Sequence, residues 1–230
     1  MTSYPVNMTL VPEVKGFFDP DTNTISYVVR DPGSTSCAVI DSVMDIDYAA
    51  GRITYGHADQ IIAHIRDNGL KLEWLIETHV HADHLSAAPY IQQKLGGKIG
   101  IGENIKVVQE TFGKVFNEGT EFQRDGSQFD RLFKDGDSYQ IGSMAAYAMH
   151  TPGHTRGHVV SHHREAKIAF VRDVLFQGSI GRTDFPRGDH ATLIHSITHE
   201  LWPLGDDMQF VPGHGPMSTF GEERRTNEFV

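Results

Sequence analysis

The chain has 230 residues, 14 of them His and one Cys, and a formal charge of −10 at pH 7. That charge argues against nucleic acid, whose affinity rests on neutralised phosphates, and no apolar run is long enough to cross a bilayer. The lone Cys37 excludes an internal disulfide and, with no basic, apolar leader in "MTSYPVNMTLVPEV", fits a buried thiol in a cytoplasmic protein. Taken in chain order, apolar patterning predicts strands near 24–30 and 36–41 and a helix near 57–68. "LEWLIET" reads as a buried strand. "LSAAPYIQQKLGG" reads as a helix, with Leu85, Ala88, Ile91 and Leu95 at helical spacing and a Gly pair at its end. The stretch from "GENIKVVQETFGKVF" to "FDRLFKDGD" reads as one helix followed by irregular chain. Strands are expected near 98–101, 139–149, 157–162, 167–172 and 208–211, with a helix near 190–201. No Pro- or Ser-rich linker interrupts this order, so residues 1–230 are expected to form one domain. Two halves, each of strands followed by a helix, suggest sheet packed on sheet with helices outside, an α+β fold.

Between the third apolar strand and the second helix stands "ETHVHADH", three His and one Asp within six positions. Strand-to-helix turns are where ligands bind in open α/β sheets, and imidazole with carboxylate is the donor set a borderline dication takes when Cys is absent. The same junction recurs downstream. His154 lies in "HTPGHTRGH", Asp173 ends "AFVRD", and His214 follows the apolar run in "MQFVPGHGP". Taken singly, such a His is as often a loop residue bonded to backbone, and such an Asp a helix cap. Their joint presence favours a metal site. His57, His64, His162, His163, His190, His195 and His199 lack this context and are read as surface or supporting residues.

The pattern "HVHADH", a His in "TPGHT", an Asp closing an apolar strand and "PGHGP" resembles the metallo-β-lactamase fold superfamily, over nearly the whole chain. The C-terminal half, with "GSIGRTDFPRGD", looks like the short relatives of glyoxalase II, and the N-terminal half looks like the persulfide dioxygenase branch. The resemblance implies a four-layer αββα sandwich without the separate helical C-terminal domain of full-length glyoxalase II. It implies one metal site from His79, His81 and His154, a second from Asp83, His84 and His214, and Asp173 as the bridge. With two Zn2+, the implied activity is hydrolysis of a small thioester or ester, with a glutathione conjugate as the substrate, and Asp83 orients the nucleophile. The alternative is a persulfide dioxygenase with one Fe2+ held by His79, His154 and Asp173. Arg182 and Asp184 are candidates for substrate contact or support, against the plainer reading of a turn held by its own Asp. The substrate is expected to be selected by loops at 102–136 and 177–190. No membrane or nucleic-acid partner is expected, and a homo-oligomer is compatible with the sequence.

Three positions depart from the family pattern: Arg172 stands where Gly usually precedes the bridging Asp, Arg156 where "PGHTPG" has its second Pro, and Glu228 where "TNPF" has Pro. Strand alternation predicts that Arg172 points away from the metal face, toward solvent or an acidic partner.

Overall fold

Tyr27, Val29, Ala38 and Ile40 alternate along the chain with Val28, Cys37 and Val39, and both sets are buried. A strand with two buried faces belongs to a sheet covered on both sides. The computed structural model describes residues 11–47, 49–81, 83–115 and 123–230. In the N-terminal half lie β1 (Glu13–Asp19), β2 (Thr24–Arg30), β3 (Ser36–Ile40), β4 (Val43–Asp47), β5 (Arg52–Thr54), α1 (Gly56–Asp67), β6 (Lys71–Ile76), β7 (Leu85–Ser86), α2 (Ala88–Leu95), β8 (Lys98–Gly102), α3 (Ile105–Val115) and β9 (Arg131–Phe133). In the C-terminal half lie β10 (Ser138–Ile141), β11 (Met144–His150), β12 (Val159–His163), β13 (Ile168–Arg172), β14 (Leu175–Phe176), β15 (Ser179–Ile180), α4 (His190–His195), β16 (Gln209–Pro212), β17 (Ser218–Thr219) and α5 (Phe220–Thr226).

Two six-stranded sheets, ordered β1-β2-β3-β6-β8-β9 and β10-β11-β12-β13-β16-β17, face each other. Tyr27, Ile40 and Ile76 of the first meet Ile141, Phe170 and Val211 of the second in the central core. The outer face of the first sheet, with Val39 and Leu75, is covered by Ile61 and Ile65 of α1 and Ile91 of α2. The outer face of the second, with Val171 and Phe210, is covered by Leu193, Ile197 and Phe220. The layers are therefore αββα. Cys37 is buried in the first outer layer, where burial pushes its thiol up to about 12, so it is an inert apolar residue.

The expected elements differ in detail. The stretch 139–149 is a hairpin, β10 and β11, turned at Gly142 with φ 60, and the helix near 190–201 is a short α-helix continued by a π-helical turn over Ser196–Leu201. Strands β1, β4, β5, β7, β9, β14, β15 and β17 and helix α5 were not foreseen, and β9 lies in the stretch read as irregular chain; most are only two to five residues long, β5 is exposed throughout and β1 largely so, which weakens the hydrophobic signal. His57, His162 and His163 are not surface residues but are buried, at 6%, 1% and 1% exposure. No helix among the described residues is long and apolar enough to cross a membrane.

What places the site is strand direction. β3, β6, β8 and β9 run parallel in one sheet, and β13 and β16 run parallel in the other. The C-terminal ends of β3, β6, β13 and β16 lead directly into Asp41, the "ETHVHADH" turn, Asp173 and the "GHG" turn.

Candidate metal centre

The four strand ends and the β11–β12 turn bring His79, His81, Asp83, His84, His154, Asp173 and His214 to one edge of the sandwich. His79, His154 and Asp173 present donor atoms within 4.8 Å of one another, as do His81, Asp83 and His84. His214 Nε2 lies 3.7 Å from Asp173 Oδ1 and 3.7 Å from Asp83 Oδ2, which joins the two groups. Asp173 Oδ2 is 3.5 Å from His79 Nε2 and 3.8 Å from His154 Nε2. These separations exceed hydrogen-bond length. Two donors on one tetrahedral zinc, each about 2.1 Å from it, would stand about 3.4 Å apart.

The tautomers follow from what holds each ring. Nδ1 of His84, His154 and His214 donates to the carbonyls of Leu85 at 3.0 Å, Arg182 at 2.8 Å and Asn23 at 2.8 Å. The Thr78 hydroxyl donates to Asp41 Oδ2 at 2.7 Å, so it accepts from His79 Nδ1 at 3.0 Å. In these four rings the Nε2 lone pair is left for the centre. His81 is reversed: its Nε2 faces Asp41 Oδ1 at 3.1 Å, which leaves Nδ1. Such fixing of the distal nitrogen is the support that metal-ligating imidazoles require. His79 Nε2, His84 Nε2 and Asp173 Oδ1 are buried without a hydrogen-bond partner, a costly state that a bound cation relieves. The donor set therefore fits metal ions.

Electrostatics agree for His79, His84 and Asp173 and differ for His81. Burial depresses His79 to about 4, aided by the nearby His81, and His84 to about 3, so both rings are neutral donors at pH 7. Burial opposes charge on Asp173, but His214 and His79 beside it outweigh that and hold the carboxyl well below its usual range. For His81 burial is again the largest influence and lowers it, yet Asp41 and Glu77 together raise it to about 10, so without metal this ring is protonated at pH 7 and Nδ1 becomes a donor only by releasing its proton as the metal binds.

Of the two surroundings expected for Arg172, solvent or an acidic partner, the structure shows the acid. Arg172 is 1% exposed, and its Nε lies 2.5 Å from Asp41 Oδ2, a buried ion pair between the two sheets. Its NH1 donates to the Ile25 carbonyl. The side chain does point into the layer between the sheets and meets an acid, as alternation predicts, but the backbone reaches this at φ 47, where the β13–β16 register also shifts. Gly213 permits the close approach: a Cβ there would stand 2.3 Å from Asp173 Oδ1. Arg182 and Asp184 form a two-pronged ion pair at 2.7 and 2.6 Å, both exposed, which matches the plainer reading of a turn held by its own Asp.

Three supporting residues escaped the sequence reading. Asp41 accepts from Thr78 N at 2.7 Å and holds His81; it ends the apolar run "SCAVID", the same junction that marked the others. His158 stacks on His79 at 4.7 Å and 23°, and the second His of "GHTRGH" was its signal. Thr24 donates to Asp83 Oδ2 at 2.8 Å from 59 residues away, and nothing local in the sequence marks it.

Two recesses, among others, flank the donors. One, of about 540 Å3, contains Asp83, Asp173, His214 and Arg182. The other, of about 410 Å3, contains His81, His154 and the side chains of α3.

The match to known proteins is decisive for family: residues 20–214 fit the metallo-beta-lactamase superfamily. The chain belongs to that superfamily. It is 45% identical to a probable metallo-hydrolase of Burkholderia pseudomallei over 242 residues, covering 94% of this chain and 80% of the relative. Hydroxyacylglutathione hydrolase GloC of Haemophilus influenzae is 41% identical over 177 residues, covering 76% of this chain and 84% of GloC. Among solved structures, ETHE1 from Myxococcus xanthus shares the fold with a TM-score of 0.77 at 23% identity, covering 94% of this chain and 83% of that one. For this metallo-beta-lactamase superfamily member, the αββα architecture and a metal-binding edge are thus properties of both the geometry and the family.

Proposed function

We propose that the chain is a two-zinc hydrolase of small thioesters, of the glyoxalase II kind, with a glutathione conjugate as substrate. The observation that carries this reading is the orientation of five imidazoles, each with one nitrogen tied to the protein and the other left for the centre, around Asp173 and Asp83. His79, His81 and His154 would hold one ion, Asp83, His84 and His214 the other, and Asp173 both. When bound, zinc supplies hydroxide at neutral pH, because it lowers the pKa of its water to about 7, and polarises the carbonyl.

The remaining work falls to the chain. Asp83, anchored by the Thr24 hydroxyl, accepts a hydrogen bond from the attacking oxygen and aims it at the thioester carbon. The carbon–sulfur bond breaks, water's oxygen stays on the acyl group as carboxylate, and the thiolate departs and takes a proton from solvent. A thiolate with a conjugate acid of about 8.5 leaves without a general acid, in keeping with a donor set that holds none. The similarity to GloC, whose name specifies a hydroxyacylglutathione hydrolase, supports the same bond.

A second reading rests on a specific observation. His79, His154 and Asp173 form a buried two-His, one-carboxylate group, while His81 is held by Asp41 and Glu77. That set suits a single iron and persulfide oxidation. Elemental analysis of protein purified without added metal, together with S-lactoylglutathione hydrolysis, separates the two. Two zincs with turnover are expected. One iron, no zinc and no thioester cleavage would overturn the hydrolase reading.

A further inference from the structure

The helical segment that covers the second sheet changes pitch part-way along. α4 ends at His195 and continues as a π-helical turn over Ser196–Leu201. In an α-helix residue i+4 oversteps a full turn by about 40°, whereas a π turn, closed by i→i+5 bonds, takes more residues to come round. Across the junction that overstep shrinks, and every fourth residue falls in line. On the inner side Leu193, Ile197 and Leu201 form such a row and are buried against the sheet. On the outer side the row is His195 and His199, both exposed, with rings stacked at 4.2 Å between centroids and 19° between planes.

Two imidazoles a turn apart can simply stack. The hydrogen bonds at His199 give this pair a metal-ligating form. The Thr198 hydroxyl donates its single proton to the Ile194 carbonyl at 2.7 Å, so it accepts from His199 Nδ1, 2.8 Å away. His199 therefore carries a proton on Nδ1 and leaves the Nε2 lone pair to solvent, the arrangement also found at His79, His84, His154 and His214. Tying the distal nitrogen fixes ring and tautomer, as metal-bound imidazoles require. His195 makes no side-chain hydrogen bond among the described residues, so its ring is free to turn toward the same point. Two nitrogens on one ion stand about 3.4 Å apart, which a slight inward tilt of two exposed rings reaches. Among the described residues no third His, Cys, Asp or Glu completes the group, so an ion there keeps positions open for water or another donor.

Imidazole selects late first-row dications, with Cu2+ ahead of Ni2+ and Zn2+ in affinity, and two nitrogens with water suit the tetragonal shell of Cu2+. Hard cations such as Ca2+ and Mg2+ take oxygen donors instead.

We propose that His195 and His199 form a further metal site on the outer surface of the sandwich, separate from the strand-end centre. It chelates one Cu2+, or another late transition dication, through both Nε2 atoms. The site does not rest on the hydrolase reading and takes no part in that reaction.

The test applies the untagged full chain, with its strand-end centre loaded, to a Cu2+–iminodiacetate resin. Resin-held copper can meet exposed rings but not buried donors such as His79 and His84. Compared are wild type, His195→Gln, His199→Gln, the double variant, and His190→Gln as an exposed single His. Wild type is expected to need at least threefold more imidazole for elution than either single variant. The singles should match the double, because chelation is lost with either ring, and His190→Gln should match wild type. In solution, calorimetry on the zinc-loaded protein is expected to show one further Ni2+ equivalent, bound at least tenfold more weakly by either single variant. Elemental analysis is expected to find the strand-end metals unchanged throughout. A double variant retained like wild type overturns the proposal, as do single variants that each lose only part of what the double loses, the behaviour of two independent rings. Retention lost only together with the strand-end metals overturns it too, by placing the effect in the fold.

Discussion

Arg172 and Asp41 allow the most quantitative test of the structure. Removing the cation leaves Asp41 buried, and breaking a buried pair costs about 3–5 kcal/mol. Asp41 keeps its bonds from Thr78 and its contact with His81, so the lower end applies. Against this, Arg172 sits at φ 47, a left-handed backbone that disfavours any residue with a Cβ by about 1–2 kcal/mol and glycine hardly at all. Arg172→Gly therefore loses the pair and gains the backbone, for a net loss of roughly 2 kcal/mol, whereas Arg172→Ala loses the pair and keeps the strain, for roughly 3–4 kcal/mol. For a chain this long, each kcal/mol moves Tm by about 2–4 °C. Scanning calorimetry of chelated protein should rank wild type above Gly above Ala. A Gly variant at or above wild type would refute the stabilising role of the pair, and equal Gly and Ala variants would refute the backbone part of the reasoning.

Gly213→Ala places a methyl where Asp173 Oδ1 stands, 2.3 Å from its Cβ; bound metal measured by elemental analysis should fall severalfold while the far-ultraviolet circular dichroism stays native. Thr24→Val keeps the shape of a buried strand residue and removes the hydroxyl on Asp83, so kcat for S-lactoylglutathione should drop about 10- to 100-fold, as loss of a supporting bond around a metal ligand does; an unchanged kcat would remove Thr24 from the machinery. Burial lowers His163 to about 4. The unfolded chain takes up that proton near 6.5 and the folded chain only near 4, so its contribution is full above 6.5 and is lost as pH falls from 6.5 to 4, on the order of 3 kcal/mol. His163→Asn should flatten the slope of chelated-protein stability against pH in that window, and an unaltered slope would contradict the burial.

The donor set was legible because its chemistry is local. A parallel strand must end before its ligand turn begins, so an apolar run followed at once by His or Asp marks the place in the sequence, at His79, Asp173 and His214 alike. Asp41 obeys the same rule but stands without a neighbouring His, and a lone Asp after a strand has commoner uses such as a helix cap. The sheets were legible where both faces are buried, as along β3 and β13, and were missed at the exposed β5 and largely exposed β1, where no core selects the residues. What no reading of one segment could supply is pairing between segments remote in the chain. Arg172 was open to solvent or to an acid by alternation alone; that the acid is Asp41, 131 positions earlier and in the opposite sheet, depends on how the two sheets close on each other. Thr24 against Asp83 and the choice of nitrogen on each His have the same origin. Residue type determines which atoms can bind a metal or an anion, and that is written in the sequence. Which of those atoms are already satisfied, and which are left facing the site, is decided only when the fold brings the carbonyls, carboxylates and hydroxyls of distant segments within hydrogen-bond reach.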